Sequence, residues 1–215
     1  MEQSTVLLLH GIGRTPRSLA RLERALQRAG FSTRNLAYPW RRLPIPALAD
    51  DVGARLTGLA ETRLSVVTHS MGGLVAAHLL AKRAPECIGQ VVMLAPPLGG
   101  SEVADLLAPF PPYRLLYGPA GQQLTTWAKG LAGMVPHYRL GIIAGTKGWP
   151  YLLGTLTLPR PHDGRVSLAS TRAMPATDHI ALPLTHSFLP ANAEVHRQVL
   201  QFLATGAFDH GSMKP

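Results

Sequence analysis

The sequence predicts an α/β protein, a three-layer α/β/α sandwich around a mostly parallel sheet, and three observations carry that reading. Short apolar, β-branched runs alternate with longer helix-forming stretches from the first residues onward. The runs are apolar at consecutive positions, as strands covered on both faces must be. One of them, Leu64-Ser65-Val66-Val67, passes through Thr68-His69-Ser70-Met71-Gly72-Gly73 directly into a stretch that reads only as helix.

Each element follows from local chemistry. Residues 6–9 form a buried strand. Thr15 is placed to cap the first helix, with Pro16 at its first position, where a missing N–H has no partner to lose. Leu19, Leu22, Leu26 and Ala29 make its inner stripe, and Gly30 ends it. Residues 31–37 read as the next strand, followed by a helix from about Pro46 with Leu48, Val52, Leu56 and Leu59 inward. After the Leu64 strand, residues 74–83 are rich in helix formers and run until Pro85. Residues 90–95 are another buried strand.

From Pro96 the pattern loosens, with Pro109, Pro111 and Pro112 breaking it and Phe110, Tyr113, Tyr117 and Trp127 adding aromatics. Residues 96–137 are therefore expected to form a small lid or binding-wall excursion, or else a packed irregular segment. Residues 138–144 resume a strand, 145–165 read as loop, and 180–184 are a last apolar strand. Pro190 opens a final helix with Val195, Val199, Phe202 and Leu203 inward. One domain over 1–205 is expected, followed by a flexible tail, 206–215.

Composition narrows the function classes. Hydrophobic residues make up 46% of the 215 and charged residues 15%, so the chain is globular and not disordered. No apolar run is long enough to cross a membrane, and Met1–Thr5 lacks the basic segment of a signal peptide. Cys87 is the only cysteine, which excludes an internal disulfide and suits a reducing, cytoplasmic setting. The net charge is +9, from 21 basic and 12 acidic residues. No pattern for nucleic-acid binding accompanies it. Arg17, Arg21, Arg24 and Arg28 recur on one helical face, read either as a solvated surface or as weak contact with an anionic membrane.

Ser70 is the centre of the chemistry. A serine at a sharp strand-to-helix turn has a strained backbone and a hydroxyl lifted clear of the sheet. In a parallel sheet the C-terminal ends of all strands share one edge, where ligands bind, so its partners should follow strands. His186 follows the last apolar run and Asp163 the run before it, with Gly164 freeing the carboxylate to turn inward. His179 and Asp178 precede the last run and are expected on the opposite edge. A serine hydroxyl needs a base, the base needs a group to set its tautomer, and an oxyanion needs donors. Those donors are expected to be the backbone N–H groups of Met71 and of Ile12, in the turn His10-Gly11-Ile12-Gly13.

Among the other histidines, His10 is read as a structural hydrogen bond holding that turn, His69 as packing and His162 as a surface neighbour. His137, His196 and His210 have no supporting context. No cluster has metal-ligand spacing. Phe110, Tyr113, Trp149 and Tyr151 suggest an apolar acyl pocket, or equally core.

On these residues the chain resembles the α/β-hydrolases, in particular the small, nearly lidless bacterial lipases and esterases with a minimal fold. The resemblance covers most of the chain and rests on His10-Gly11-Ile12-Gly13, Thr68 to Gly73, His162-Asp163-Gly164 and Thr185-His186. It implies a triad of Ser70, Asp163 and His186, oxyanion amides at Ile12 and Met71, and hydrolysis of small-molecule or lipid esters without a cofactor. The alternatives are acyl transfer or thioester cleavage by the same triad, or a non-catalytic binding protein of the same fold. One position departs from the pattern: Thr68 stands where the turn usually opens with glycine, so a tighter-packed turn is expected.

Overall fold

In the computed structural model, residues 5–56, 63–128, 131 and 134–211 are described. Their elements are β1 (Thr5–Leu9), α1 (Ala20–Arg28), β2 (Ser32–Leu36), α2 (Ile45–Ala54), β3 (Leu64–His69), α3 (Gly72–Leu80) and β4 (Ile88–Leu94). These are followed by α4 (Glu102–Leu107), α5 (Pro111–Gln122), β5 (Leu140–Gly145), α6 (Leu152–Thr157), α7 (Leu168–Thr171), β6 (Asp178–Leu182) and α8 (Ala193–Thr205). The strands form one six-stranded sheet in the order β2-β1-β3-β4-β5-β6, and every pair is parallel.

Strand alternation splits the core into two layers. Leu7, Leu9, Val66, Val91, Met93 and Ile142 face the side covered by α2 and α3. Val6, Leu8, Val67, Val92, Leu94 and Ile143 face the side covered by α1 and α8. Both sets are fully buried, which accounts for the continuous apolar runs. The edge strand β2 has no fully buried residue and carries Ser, Thr, Arg and Asn.

Several boundaries depart from expectation for physical reasons. Pro16–Leu19 winds first as a 3-10 turn, and the Thr15 carbonyl accepts Ser18 N–H at 2.9 Å while the Thr15 hydroxyl makes no cap bond. At the other end of the chain Asn192, and not Pro190, caps the final helix, its side chain accepting from Glu194 and Val195 N–H. The expected inward position Leu59 lies outside the described residues. The 96–137 segment holds α4 and α5, the latter broken at Gly118, where φ is +60° ahead of Pro119. The 145–165 loop contains α6.

β6 begins at Asp178, because pairing to β5 uses backbone and does not need apolar side chains. After α8, Phe208 is buried against the Phe202 ring, with centroids 4.8 Å apart, and its N–H donates to Asp178. The four arginines of the first helical turn and α1 are all exposed. Among the described residues, no helix is long and apolar enough to cross a membrane.

Phe202 is fully buried and fills the space left by the absent side chain of Gly141, where a Cβ would lie 2.6 Å from its ring. Phe202→Ala should cost about 3–5 kcal/mol, read from the urea midpoint at constant slope. A loss under about 1 kcal/mol would show that α8 and the segment after it are not packed as described.

Candidate active site

The site starts at the end of β3. Ser70 has φ +56°, a left-handed conformation that costs a non-glycine residue on the order of 1–3 kcal/mol. Three contacts impose it. Its N–H donates to Leu94 O of β4 at 2.8 Å, its carbonyl accepts Gly73 N–H at 2.9 Å, and Gly72 lies against β1. A Cβ on Gly72 would sit 2.4 Å from Leu9 O and 2.8 Å from His10 O, so only glycine lets α3 start this close to the sheet.

Thr68 is fully buried, and its hydroxyl lies 3.4 Å from where a Gly73 Cβ would be, an ordinary contact. Other neighbours exclude a side chain at Gly73: a Cβ there would lie 2.8 Å from Pro96 Cβ and 3.1 Å from Met93 Sδ.

Asp163 and His186 come together on the same sheet edge. His186 Nδ1 lies 2.7 Å from Asp163 Oδ2, and both side chains are buried. The other carboxylate oxygen, Oδ1, accepts from Arg165 N–H at 2.9 Å and Val166 N–H at 2.8 Å. Asp163 O accepts from His186 N–H at 3.0 Å, which ties the two loops by backbone as well. With Asp163 acting as acceptor, His186 carries its proton on Nδ1 and leaves Nε2 as a base.

Ser70, His186 and Ile12 line one cavity of about 320 Å³, at the lower end of small-molecule sites. The amides of Ile12 and Met71 donate to no protein acceptor among the described residues.

The remaining histidines sort by contact. His10 Nδ1 lies 2.9 Å from Gly11 O, and its ring stacks on Tyr38 at 4.4 Å, as a residue holding the turn should. The Tyr38 hydroxyl also donates to His10 O. His69 is more than packing: its Nε2 lies 3.0 Å from His186 O and its ring is tilted over the His186 ring at 4.7 Å. Burial, then the neighbouring His186, holds its pKa well below the usual 6.5.

His162 is buried, not at the surface; its Nδ1 accepts from Gly164 N–H at 3.0 Å and shapes the Asp163 turn. Asp178 and His179 lie within β6 near its start. Asp178 contacts His210, with 2.9 Å between Oδ1 and Nε2, and His179 contacts Thr171, so neither joins the cavity.

Of the four aromatics expected in an apolar pocket, only Tyr113 lines the cavity. Phe110 and Trp149 are exposed, and Tyr151 holds Ser187 from outside. The apolar wall is instead Val103, Ala104 and Leu107 of α4 with Leu124. These residues, with Tyr113 and Tyr117, lie within the 96–137 segment expected as a lid or binding wall. Leu106, Phe110, Leu115, Leu116 and Leu156 lie exposed on α4, α5, α6 and the connection between the first two.

A family model described as the alpha/beta hydrolase family matches residues 6–207. A search of curated proteins returned no match. Among solved structures the chain is similar to the mature form of a Bacillus licheniformis lipase, at 17% identity and a TM-score of 0.76, over 95% of this chain and 92% of that one. A hydrolase from Pseudomonas aeruginosa gives 18% identity and a TM-score of 0.68 over 95% and 91%. A metagenomic carboxyl esterase gives 16% and 0.68 over 86% and 64%. At these identities the likeness is one of fold.

His69 generates a prediction about pH. Its pKa is lowered in the fold, so below about 6.5 the unfolded chain takes up a proton that the folded chain refuses. Stability should fall as pH drops through 6.5, with a contribution from this residue of about 1 kcal/mol between pH 6.5 and 5.5, approaching about 1.4 kcal/mol per pH unit below that. Urea titrations at pH 6.5 and 5.5 measure the slope, and His69→Gln should flatten it. A variant as pH-sensitive as the parent would show that His69 titrates normally.

Proposed function

The chain belongs to the α/β hydrolase family, and from that premise we propose that it is a serine hydrolase cleaving carboxylic esters through an acyl-enzyme on Ser70. The observation that carries the reading is the buried 2.7 Å pair of Asp163 and His186, of which His186 lines one cavity with a strained serine. Two backbone N–H groups orient the carboxylate, and the carboxylate orients the imidazole for proton transfer.

In the proposed reaction His186 Nε2 takes the proton of Ser70 Oγ as Oγ bonds to the ester carbonyl carbon. The carbonyl electrons move onto oxygen, where the Ile12 and Met71 amides stabilise the charge; one such donor is worth on the order of 10²–10³ in rate. Collapse breaks the bond to the leaving alkoxide, which takes the proton from His186. Water, activated by the same imidazole, then cleaves the acyl-enzyme. Asp163 holds the Nδ1 proton throughout and stabilises the imidazolium. The exposed apolar side chains of α4, α5 and α6 favour substrates presented in a lipid phase, which is the lipase form of the reading. The reading extends to weak contact of the arginine face with anionic membrane, seen as flotation with anionic vesicles at low salt; failure to float would remove that part.

Ser70→Ala should abolish p-nitrophenyl ester hydrolysis with the thermal transition preserved, and persistent turnover would overturn the mechanism. Asp163→Asn should lower kcat by about 10⁴ through the wrong tautomer, whereas Asp178→Asn should leave it near parental; the reverse ranking would displace Asp163. Across acyl chain lengths, higher rates on emulsified long-chain esters than on soluble short ones would support the lipase form. Preference for soluble short chains would limit the activity to an esterase.

A further inference from the structure

Two arginines stand at the mouth of the cavity with no anionic partner among the described residues. Arg14 follows Gly13 in the turn after β1, and its Nη2 donates to Ser187 Oγ at 2.8 Å. Arg165 follows Gly164, with its guanidinium over the Tyr151 ring at 5.2 Å from the centroid. The Tyr151 hydroxyl donates to the same Ser187 Oγ at 2.7 Å. Ser187 is the residue after His186, so both cations are gathered on the His186 side.

The Arg165 backbone is fixed independently. Its N–H donates to Asp163, and its carbonyl accepts from Ser101 Oγ at 2.7 Å. Both arginines line the cavity with Ser70 and His186, and no Asp or Glu among the described residues lines it. Neither arginine is in an ion pair among the described residues. Their field reaches inside, since both help to disfavour protonation of the buried His69. The wall formed by Val103, Ala104, Leu107 and Leu124 is apolar.

This asymmetry has a chemical direction. The leaving oxygen must reach His186 to be protonated, so the alcohol half of an ester lies on the cationic side, leaving the apolar wall to the acyl half. We infer that the cavity takes acyl esters whose alcohol carries an anionic group, a phosphate or carboxylate bound between Arg14 and Arg165. Guanidinium groups suit such oxyanions because their planar donors can pair with two oxygens at once. The inference rests on the hydrolase reading above and adds the charge of its substrate.

The test compares 1-hexanoylglycerol 3-phosphate with 1-hexanoylglycerol, which share acyl chain and glycerol and differ by the phosphate. With the full-length protein at low ionic strength, kcat/KM should favour the phosphate ester by on the order of tenfold. The ratio should shrink with added salt, because both arginines are at the exposed mouth. Arg14→Gln and Arg165→Gln should each reduce it, and the double variant should bring it to about one. Lysine at the same positions should restore part of it by returning the charge without the planar fork.

A parental ratio at or below one, with 1-hexanoylglycerol turned over, would overturn the inference and leave the hydrolase reading standing. A ratio unchanged in the double variant would also overturn it. The parental ratio and its salt dependence keep the test decisive if a variant does not fold. Turnover of neither ester would overturn the hydrolase reading itself.

Discussion

The uniform direction of the six strands is the constraint on which the rest depends. Because every strand is parallel to its neighbours, the segments following β1, β3, β5 and β6 all emerge at one edge. That edge receives Ile12 and Arg14, Ser70, Asp163 and His186 from segments far apart in sequence. The helices on the two faces keep the sheet dry and leave the edge as the place where polar side chains can meet. Strain at Ser70 is held by the same arrangement, since the acceptor for its amide is the last residue of the adjacent strand.

The Asp163 turn is the second element of order. A carboxylate with one oxygen held by two amides and the other facing an imidazole has little freedom left. His162 and Gly164 close the turn from within, and a bridge between His162 and Ser167 closes it from outside. The turn also delivers Arg165 to the mouth, so the residues that orient the imidazole place a cation beside it. Ser187 then gathers Arg14 and Tyr151 around the residue following His186. Orientation of the His186 imidazole and the charge of the mouth are thus built from one set of loops.

What could be read in the sequence was what is encoded locally. Buried strands announce themselves by uninterrupted apolar residues, and Ser70 by its place between such a run and a helix. Sheet polarity then placed Asp163 and His186, although neither has a distinctive local signal. Features that depend on distant partners were hidden. Phe208 looks like part of a polar tail until Phe202 is beside it. α6 lies among glycines and prolines with exposed Leu152 and Leu156, so it lacks the inner stripe that marks a helix. His162 is polar and next to a turn, yet it is enclosed by chain that folds back over it. The segment carrying the cavity wall was legible at 96–137, but not its individual residues on α4, because aromatic content drew attention to Phe110 and Trp149, which are exposed.

The central claim is that Ser70 is a nucleophile activated by this geometry. Labelling the folded protein with a fluorophosphonate, digesting it and locating the adduct by mass spectrometry tests that most directly. A stoichiometric adduct on the peptide bearing Ser70, lost when the protein is unfolded before labelling, is the result the account predicts. An unlabelled protein, or an adduct on any other residue, would contradict it.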